Sequence, residues 1–270
     1  MNILEKIVSV KQKEVSNKKI IYPIKKLEKS SLFKRKTFSL VKKIRSSHTG
    51  IIAEFKCKSP SKGVINNTAL IEKVVKDYES AGVSGISILT DQHFFSGKNE
   101  NLKKSRSIVS IPILRKDFII DEYQIIESKS IGADVILLIA GILSKNQISN
   151  FSKLSKSIDL EVIIEIHNEF EIDKITENLD IDIVGINNRN LQTFIVDYNR
   201  CLSLSSKISN SYVKIAESGI NDINHILKLK KQGFEGFLIG EFFMKKKDPG
   251  KICKYFIESL SKKIELNEIG

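Results

Sequence analysis

From Gly50 onward the chain repeats one unit: a short β-branched run followed by a longer segment with helical spacing. The runs cover residues 51–57, 85–90, 111–116, 134–139, 161–166, 182–187, 213–217 and 236–240, eight in all. Between them lie stretches such as 68–80, 121–130 and 221–230. In the first of these, Leu70, Ile71, Val74, Val75 and Tyr78 recur at the i, i+3, i+4 spacing of an amphipathic helix. Asn221 or Asp222 can cap the helix that Ile223, Ile226, Leu227 and Leu229 continue. Gly82, Gly132 and Gly233 fall where such helices must end. Strands that are apolar nearly throughout are covered on both faces, and alternation with helices makes their sheet parallel. Eight units without a long interruption predict an α/β fold, a (β/α)8 TIM barrel. An open doubly wound sheet is the alternative, but no Gly-x-Gly-x-x-Gly turn follows any run.

Residues 1–49 precede the first run. Ile3, Leu4, Ile7 and Val8 predict a short amphipathic helix, and Phe38, Val41 and Ile44 predict another. Tyr22-Pro23 breaks the pattern between them. A segment of about 50 residues rarely supplies its own core. We therefore read 1–270 as a single domain, with 1–49 an N-terminal helical extension and 50–270 the barrel.

No apolar run approaches the ~20 residues of a membrane span, and the N-terminus lacks the apolar stretch of a signal peptide. The expectation is a soluble, cytoplasmic protein. Cys57, Cys201 and Cys253 are odd in number and far apart, and His48, His93, His167 and His225 lack metal-ligand spacing. Neither a disulfide framework nor a metal site is expected. The formal charge of +12, from 44 Lys+Arg against 32 Asp+Glu, favours an anionic partner: nucleic acid, an acidic membrane or a phosphorylated substrate. The lysines are scattered, however, and a solvated surface accounts for them without any partner. Aromatic content of 7% without tryptophan argues against base stacking. No nucleic-acid or membrane partner is expected.

Chemistry in such a barrel sits at the C-terminal ends of the strands. The first run reads Glu54-Phe55-Lys56, and period-2 alternation puts Glu54 and Lys56 on one face. The third ends Arg115-Lys116-Asp117-Phe118, and the fifth carries Glu165. The sixth ends Asn187-Asn188-Arg189, the seventh Glu217-Ser218-Gly219 and the eighth Gly240-Glu241. Charge inside a barrel is costly unless paired or solvated, so six strand ends converging on Glu, Lys, Asn and Arg point to a site. The glycines after strands 7 and 8 leave backbone N–H groups open to a phosphate.

The motif Glu54-Phe55-Lys56-x-x-Ser59-Pro60-Ser61-x-Gly63 resembles the signature of indole-3-glycerol-phosphate synthases. So do Leu114-Arg115-Lys116-Asp117-Phe118, Gly185-Ile186-Asn187-Asn188-Arg189 and Glu217-Ser218-Gly219-Ile220. The resemblance runs in order from about Leu4 to Met244. The motifs after strands 7 and 8 are shared with other phosphate-binding barrels. The resemblance implies a carbon–carbon lyase of tryptophan biosynthesis, needing no cofactor and no metal. Its substrate is 1-(2-carboxyphenylamino)-1-deoxyribulose 5-phosphate, and its products are indole-3-glycerol phosphate, CO2 and water. Association with other tryptophan-pathway enzymes is an open expectation.

By motif position, the resemblance implies that Lys116 is the general acid of ring closure. Lys56, Glu54 and Glu165 supply the acid and base of the later loss of water, with the division among them open. Lys56 also suits holding the departing carboxylate. Ser59, Asn187 and Arg189 contact substrate, with Glu217 beside them. Pro60, Phe95 and Phe118 match ring-contacting positions, although core packing explains Phe118 almost as well. Ser218, Gly219, Gly240 and the backbone of Glu241 hold phosphate. Glu241 stands where some members carry Ser; a carboxylate would repel phosphate, so its side chain is expected to point away. Gly240 is expected to clear the way for the phosphate. A lysine that donates protons near neutral pH needs a lowered pKa, from burial or neighbouring cations. His167 and Cys57 lie near the site without an assigned role. Phosphoribosylanthranilate isomerase, or another phosphosugar barrel, is the nearest alternative; it lacks the Glu54, Lys56, Ser59-Pro60 and Lys116 arrangement. A non-catalytic basic nucleic-acid-binding protein would need its lysines clustered on one face.

Overall fold

The computed structural model describes residues 3–175, 179–191 and 193–268. Its strands are β1 (Ile51–Phe55), β2 (Gly85–Leu89), β3 (Ile113–Lys116), β4 (Val135–Ile139), β5 (Glu161–Ile166), β6 (Ile183–Asn187), β7 (Val213–Glu217) and β8 (Phe234–Ile239). Each pairs in parallel with its sequence neighbours, and β8 closes onto β1 with Ile51 opposite Phe237. Closure removes the open-sheet alternative. A two-stranded hairpin, Lys58–Ser59 with Gly63–Val64, follows β1.

Burial on both faces explains the near-continuous apolar strands. In β4, Ile136 and Leu138 pack outward against the helical layer. Val135, Leu137 and Ile139 fill the interior with Ile52, Leu114, Ile163 and Ile215. The helix at Ile71–Ser80 starts later than its apolar pattern, because the Asn66 side chain accepts from the backbone N–H groups of Thr68 and Ala69 and turns the chain there. Asp121 and Asp222 cap Glu122–Ser130 and Ile223–Lys230 by accepting from Tyr123 and Asn224 N–H. Gly82 and Gly132 leave their helices at φ of 85° and 96°, the left-handed region.

The extension differs from the expectation in length. Its first helix, α1 (Ile3–Ile21), is 19 residues long and stops before Tyr22-Pro23. Its buried stripe is Ile7, Lys11 and Val15, at i+4 spacing. A lysine in the middle of a buried stripe breaks the apolar pattern, which is why the sequence reads as a short helix. A short helix, Ile24–Leu27, follows Pro23, and the second predicted helix is Leu40–Arg45, with Phe38 left outside it. Leu40 and Ile44 plug the base of the barrel among the interior side chains. Gly85 makes room for this plug, since a Cβ there would lie 2.7 Å from Leu40 Cδ1. Glu161, at the start of β5, accepts from the backbone N–H groups of Leu40 and Val41 and fixes the plug's N-terminus. Ile3, Leu4 and Ile7 meanwhile reach the opposite end of the barrel. Among the described residues no helix is long and apolar enough to cross a membrane.

Candidate active site

A cavity of about 490 Å³ opens at the C-terminal ends of the strands, and every site residue expected from the sequence borders it. At its centre Lys116, ending β3, reaches across the barrel mouth. Its ammonium donates to Glu165 Oε2 at 2.9 Å and Glu217 Oε2 at 2.5 Å. Burial opposes the lysine's charge, but Glu165, Glu217 and, behind them, Glu54 outweigh it and hold Lys116 protonated well above the usual lysine range. This corrects the expectation of a lowered lysine pKa: the neighbours are carboxylates rather than cations. The two carboxylates separate. Burial pushes Glu217 up, Lys116 only partly offsets it, and Glu165 adds repulsion, so Glu217 rises. Burial also opposes ionisation of Glu165, but Lys116 and then His167 prevail and hold it well below the carboxylate range. Glu217 Oε1 is buried without a hydrogen-bond partner among the described residues.

A second pair stands beside this one. Lys56 Nζ lies 2.6 Å from Glu54 Oε1, as their shared face requires. Ser87 Oγ on β2 donates to Glu54 Oε2. Gly240 serves this pair: a Cβ there would lie 2.9 Å from Glu54 Cβ and closer still to its Oε1. The space that Gly240 leaves is therefore occupied by Glu54.

The ends of the cavity differ. Towards β2 and β3, Phe95 and Phe118 pack on each other, with ring centroids 6.0 Å apart, and form the aromatic side of a slot. Phe118 borders both the cavity and the interior core, so packing and ring contact both describe it. Leu137 and Ile139 floor the slot, and Ile3, Leu4 and Ile7 cover it. Pro60 and the buried Ser59 edge it from the hairpin after β1. Towards β7 and β8, Ser218 and Gly219 take φ of 65° and 75°. A non-glycine residue in the left-handed region is uncommon, and turns with such residues can present N–H groups to anions. Asn187 Oδ1 accepts from Arg189 N–H, and Arg189 Nη2 lies 3.3 Å from Glu241 Oε2. Glu241 also pairs with Lys245 at 2.5 Å. Burial opposes its charge, but Lys245, Lys62 and Arg189 win and lower its pKa.

Sequence reasoning passed over Lys62, Lys245 and Lys246, which border this end. In a chain dense with lysine their only signal is the 245–247 run after β8. It also left His167 without a role. His167 Nε2 lies 3.1 Å from Glu165 Oε1, off the line of a hydrogen bond, and Nδ1 lies 3.3 Å from Glu171 Oε2. Burial pushes the Cys57 thiol up, which keeps it unreactive. Among the described residues no group of three or more His, Cys, Asp or Glu is arranged to hold a metal.

A cavity with an aromatic slot, a buried acid–base cluster and a cationic turn suits an aryl sugar phosphate. The sequence model of indole-3-glycerol phosphate synthase matches residues 4–256. The chain belongs to the indole-3-glycerol phosphate synthase family. It is 41% identical over 259 residues to the indole-3-glycerol phosphate synthase of Bacteroides thetaiotaomicron, spanning 96% of this chain and 99% of that one. Identity to the family member of Clostridium kluyveri is 40% over 262 residues, spanning 96% and 98%. For that of Campylobacter fetus it is 43% over 246 residues, spanning 90% and 94%. Membership makes the chain a decarboxylating carbon–carbon lyase of tryptophan biosynthesis. More distant solved structures share the barrel. Thiamine phosphate pyrophosphorylase from Pyrococcus furiosus superposes with a TM-score of 0.58 at 14% identity, over 84% of this chain and 99% of that one. Tryptophan synthase subunit alpha from Legionella pneumophila gives 0.57 at 11%, over 84% and 97%.

Proposed function

We propose that this site closes the indole ring of 1-(2-carboxyphenylamino)-1-deoxyribulose 5-phosphate as follows. The phosphate sits against the backbone of Ser218–Gly219 and Gly240–Glu241, and the aryl ring lies against Phe95 and Phe118 near Pro60. The ring carbon bearing the carboxylate attacks the ribulose carbonyl, forming the new C–C bond. Lys116 gives its proton to the carbonyl oxygen. That oxygen becomes an alkoxide without the proton, far more basic than an amine, so an ammonium held at high pKa still donates to it. The C–CO2 bond then breaks, CO2 leaves and the ring regains aromaticity.

Loss of water requires one proton delivered to the new hydroxyl and one removed from the adjacent carbon. Lys56 and Glu54, 2.6 Å apart, suit these two roles. Glu165 and Glu217 hold Lys116 in place, and Asn187, Arg189 and Ser59 orient the sugar. The observation that carries this reading is the Lys116 ammonium bound between Glu165 and Glu217, with the phenylalanine slot on one side and the left-handed turn on the other. We also read residues 1–270 as one domain acting in the cytoplasm. Association with other enzymes of the pathway belongs to the same proposal, and co-elution with them is its test.

The experiment is incubation of the purified protein with the carboxyphenylamino-deoxyribulose phosphate. The chain has no tryptophan, so indole fluorescence reports product directly. Glu54→Gln and Lys56→Met should release CO2 while indole lags, because ring closure outruns dehydration. If both variants form indole at the normal rate, Lys56 and Glu54 lose their roles.

A further inference from the structure

Lys11 is a buried cation outside the acid–base cluster. It lies on α1 with 1% of its surface exposed. Its ammonium donates to Glu14 Oε2 of the same helix at 2.8 Å. It also lies 2.9 Å from Asp91 Oδ2 and 2.9 Å from Asp117 Oδ1, which follow β2 and β3. Both aspartates are buried. A buried cation facing three carboxylates is costly to assemble and costly to break, so its geometry is informative.

Each aspartate also holds one wall of the aromatic slot. Asp91 Oδ1 accepts from the backbone N–H groups of Phe94 and Phe95, at 2.7 and 3.3 Å, and so caps the turn that carries Phe95. Asp117 Oδ1 accepts from the backbone N–H of Phe118 at 2.8 Å. Its other oxygen takes hydrogen bonds from Thr90 Oγ1 at 2.5 Å and Arg115 Nη2 at 3.2 Å. One ammonium thus ties together the two phenylalanine-bearing loops and the helix whose Ile3, Leu4 and Ile7 cover them. Asp91 Oδ2 has no hydrogen bond among the described residues, so its contact with Lys11 is charge to charge. Removing the lysine leaves that oxygen buried and uncompensated, so Asp91 takes up a proton or turns towards water, and either change loosens its hold on the turn that carries Phe95.

We propose that Lys11 is a positioning residue for the aromatic slot, setting the spacing of Phe95 and Phe118 from the N-terminal extension. This rests on the aryl ring lying against those side chains. A plain anchor for α1 would cost stability alone. A slot-setting residue changes recognition of the ring and leaves the phosphate end untouched.

The test compares Lys11→Met and Asp91→Asn with the parent protein. Asparagine keeps the capping oxygen for Phe94 and Phe95 but removes the charge that faces Lys11, so it carries the test even where Lys11→Met folds poorly. Both variants should raise KM for the carboxyphenylamino-deoxyribulose phosphate about tenfold, with kcat falling less. Inhibition by inorganic phosphate should change less than about twofold. Phe118→Leu serves as the benchmark for the slot and should raise KM comparably. A lower melting temperature with unchanged KM in the Lys11 and Asp91 variants makes the cluster a mere anchor and overturns the proposal. So does a loss of phosphate inhibition as large as the rise in KM. An unchanged KM in Phe118→Leu instead overturns the placement of the ring.

Discussion

Lys116 and Glu217 meet 2.5 Å apart from the ends of β3 and β7, strands on opposite sides of the barrel. Only closure of the sheet brings them together. The contact pairs an ammonium held protonated with a carboxyl whose pKa is raised by burial and by the nearby Glu165. In the proposed mechanism the raised pKa lets Glu217 carry a proton that can return to Lys116 after donation. Under the proposed mechanism the pair separates the two requirements on a general acid: a strong positive charge at rest and a means of recharging after donation.

Lys116→Met should lower kcat by roughly 10²–10⁴-fold, the usual contribution of general acid catalysis. Binding of indole-3-glycerol phosphate should persist, because the slot and the phosphate turn are untouched. The substitution also leaves Glu165 and Glu217 facing each other without the ammonium between them, with His167 beside Glu165 alone, so Glu217 should take up a proton. Steady-state kinetics with product titration checks this, and near-normal turnover would remove Lys116 from the chemistry.

Truncation should separate the two jobs of the extension. Removing residues 1–22 takes away the roof of Ile3, Leu4 and Ile7 and should raise KM while the barrel stays folded. Removing residues 1–47 also takes away Leu40 and Ile44, which fill the barrel base. Large cavities in a core cost several kcal/mol, about 2–5 for one leucine or isoleucine reduced to alanine. The longer truncation should therefore lose cooperative unfolding in urea. If it folds and turns over unchanged, neither helix matters.

The barrel was legible because its signals are local. A strand such as Val135–Ile139, buried on both faces, writes its environment into five consecutive residues. The strand-end residues could be picked out because one rule of position applies to all eight strands. Lys11 and His167 escaped for the opposite reason. Their meaning lies in Asp91, Asp117 and Glu165, and no local pattern says that a lysine in a helical stripe faces aspartates from two other strands. Gly240 was legible as a required glycine but its closeness to Glu54 was not, since the two are far apart in sequence.

Glu241→Ser should change KM by less than about tenfold, or ~1.4 kcal/mol. The side chain is occupied with Arg189 and Lys245, so its loss removes a negative charge near the phosphate but also loosens two cations. Gly240→Val should lower kcat as well as raise KM, because the new side chain displaces Glu54 from Lys56. Circular dichroism controls for folding. Normal kcat in Gly240→Val would show that Glu54 has room to move without consequence.

His167→Asn should reveal a pH-dependent share of stability. Burial disfavours the imidazolium, but contacts with Glu165 and Glu171 outweigh it and raise the His167 pKa from 6.5 to about 9. The folded state therefore binds the proton more tightly than the unfolded state. The resulting stabilisation is fully present below about pH 6.5 and disappears as the pH rises through about 9. Glu165 has the opposite sign: its lowered pKa stabilises at all pH values above the normal carboxylate range, so it contributes a constant across this window. Asparagine retains a hydrogen-bond donor but cannot carry the charge. The gap in urea midpoint between parent and His167→Asn should thus be widest in mildly acidic buffer and narrow steadily towards the alkaline end. A gap that stays level across that range would mean that His167 is neutral throughout and meets Glu165 only as a dipole.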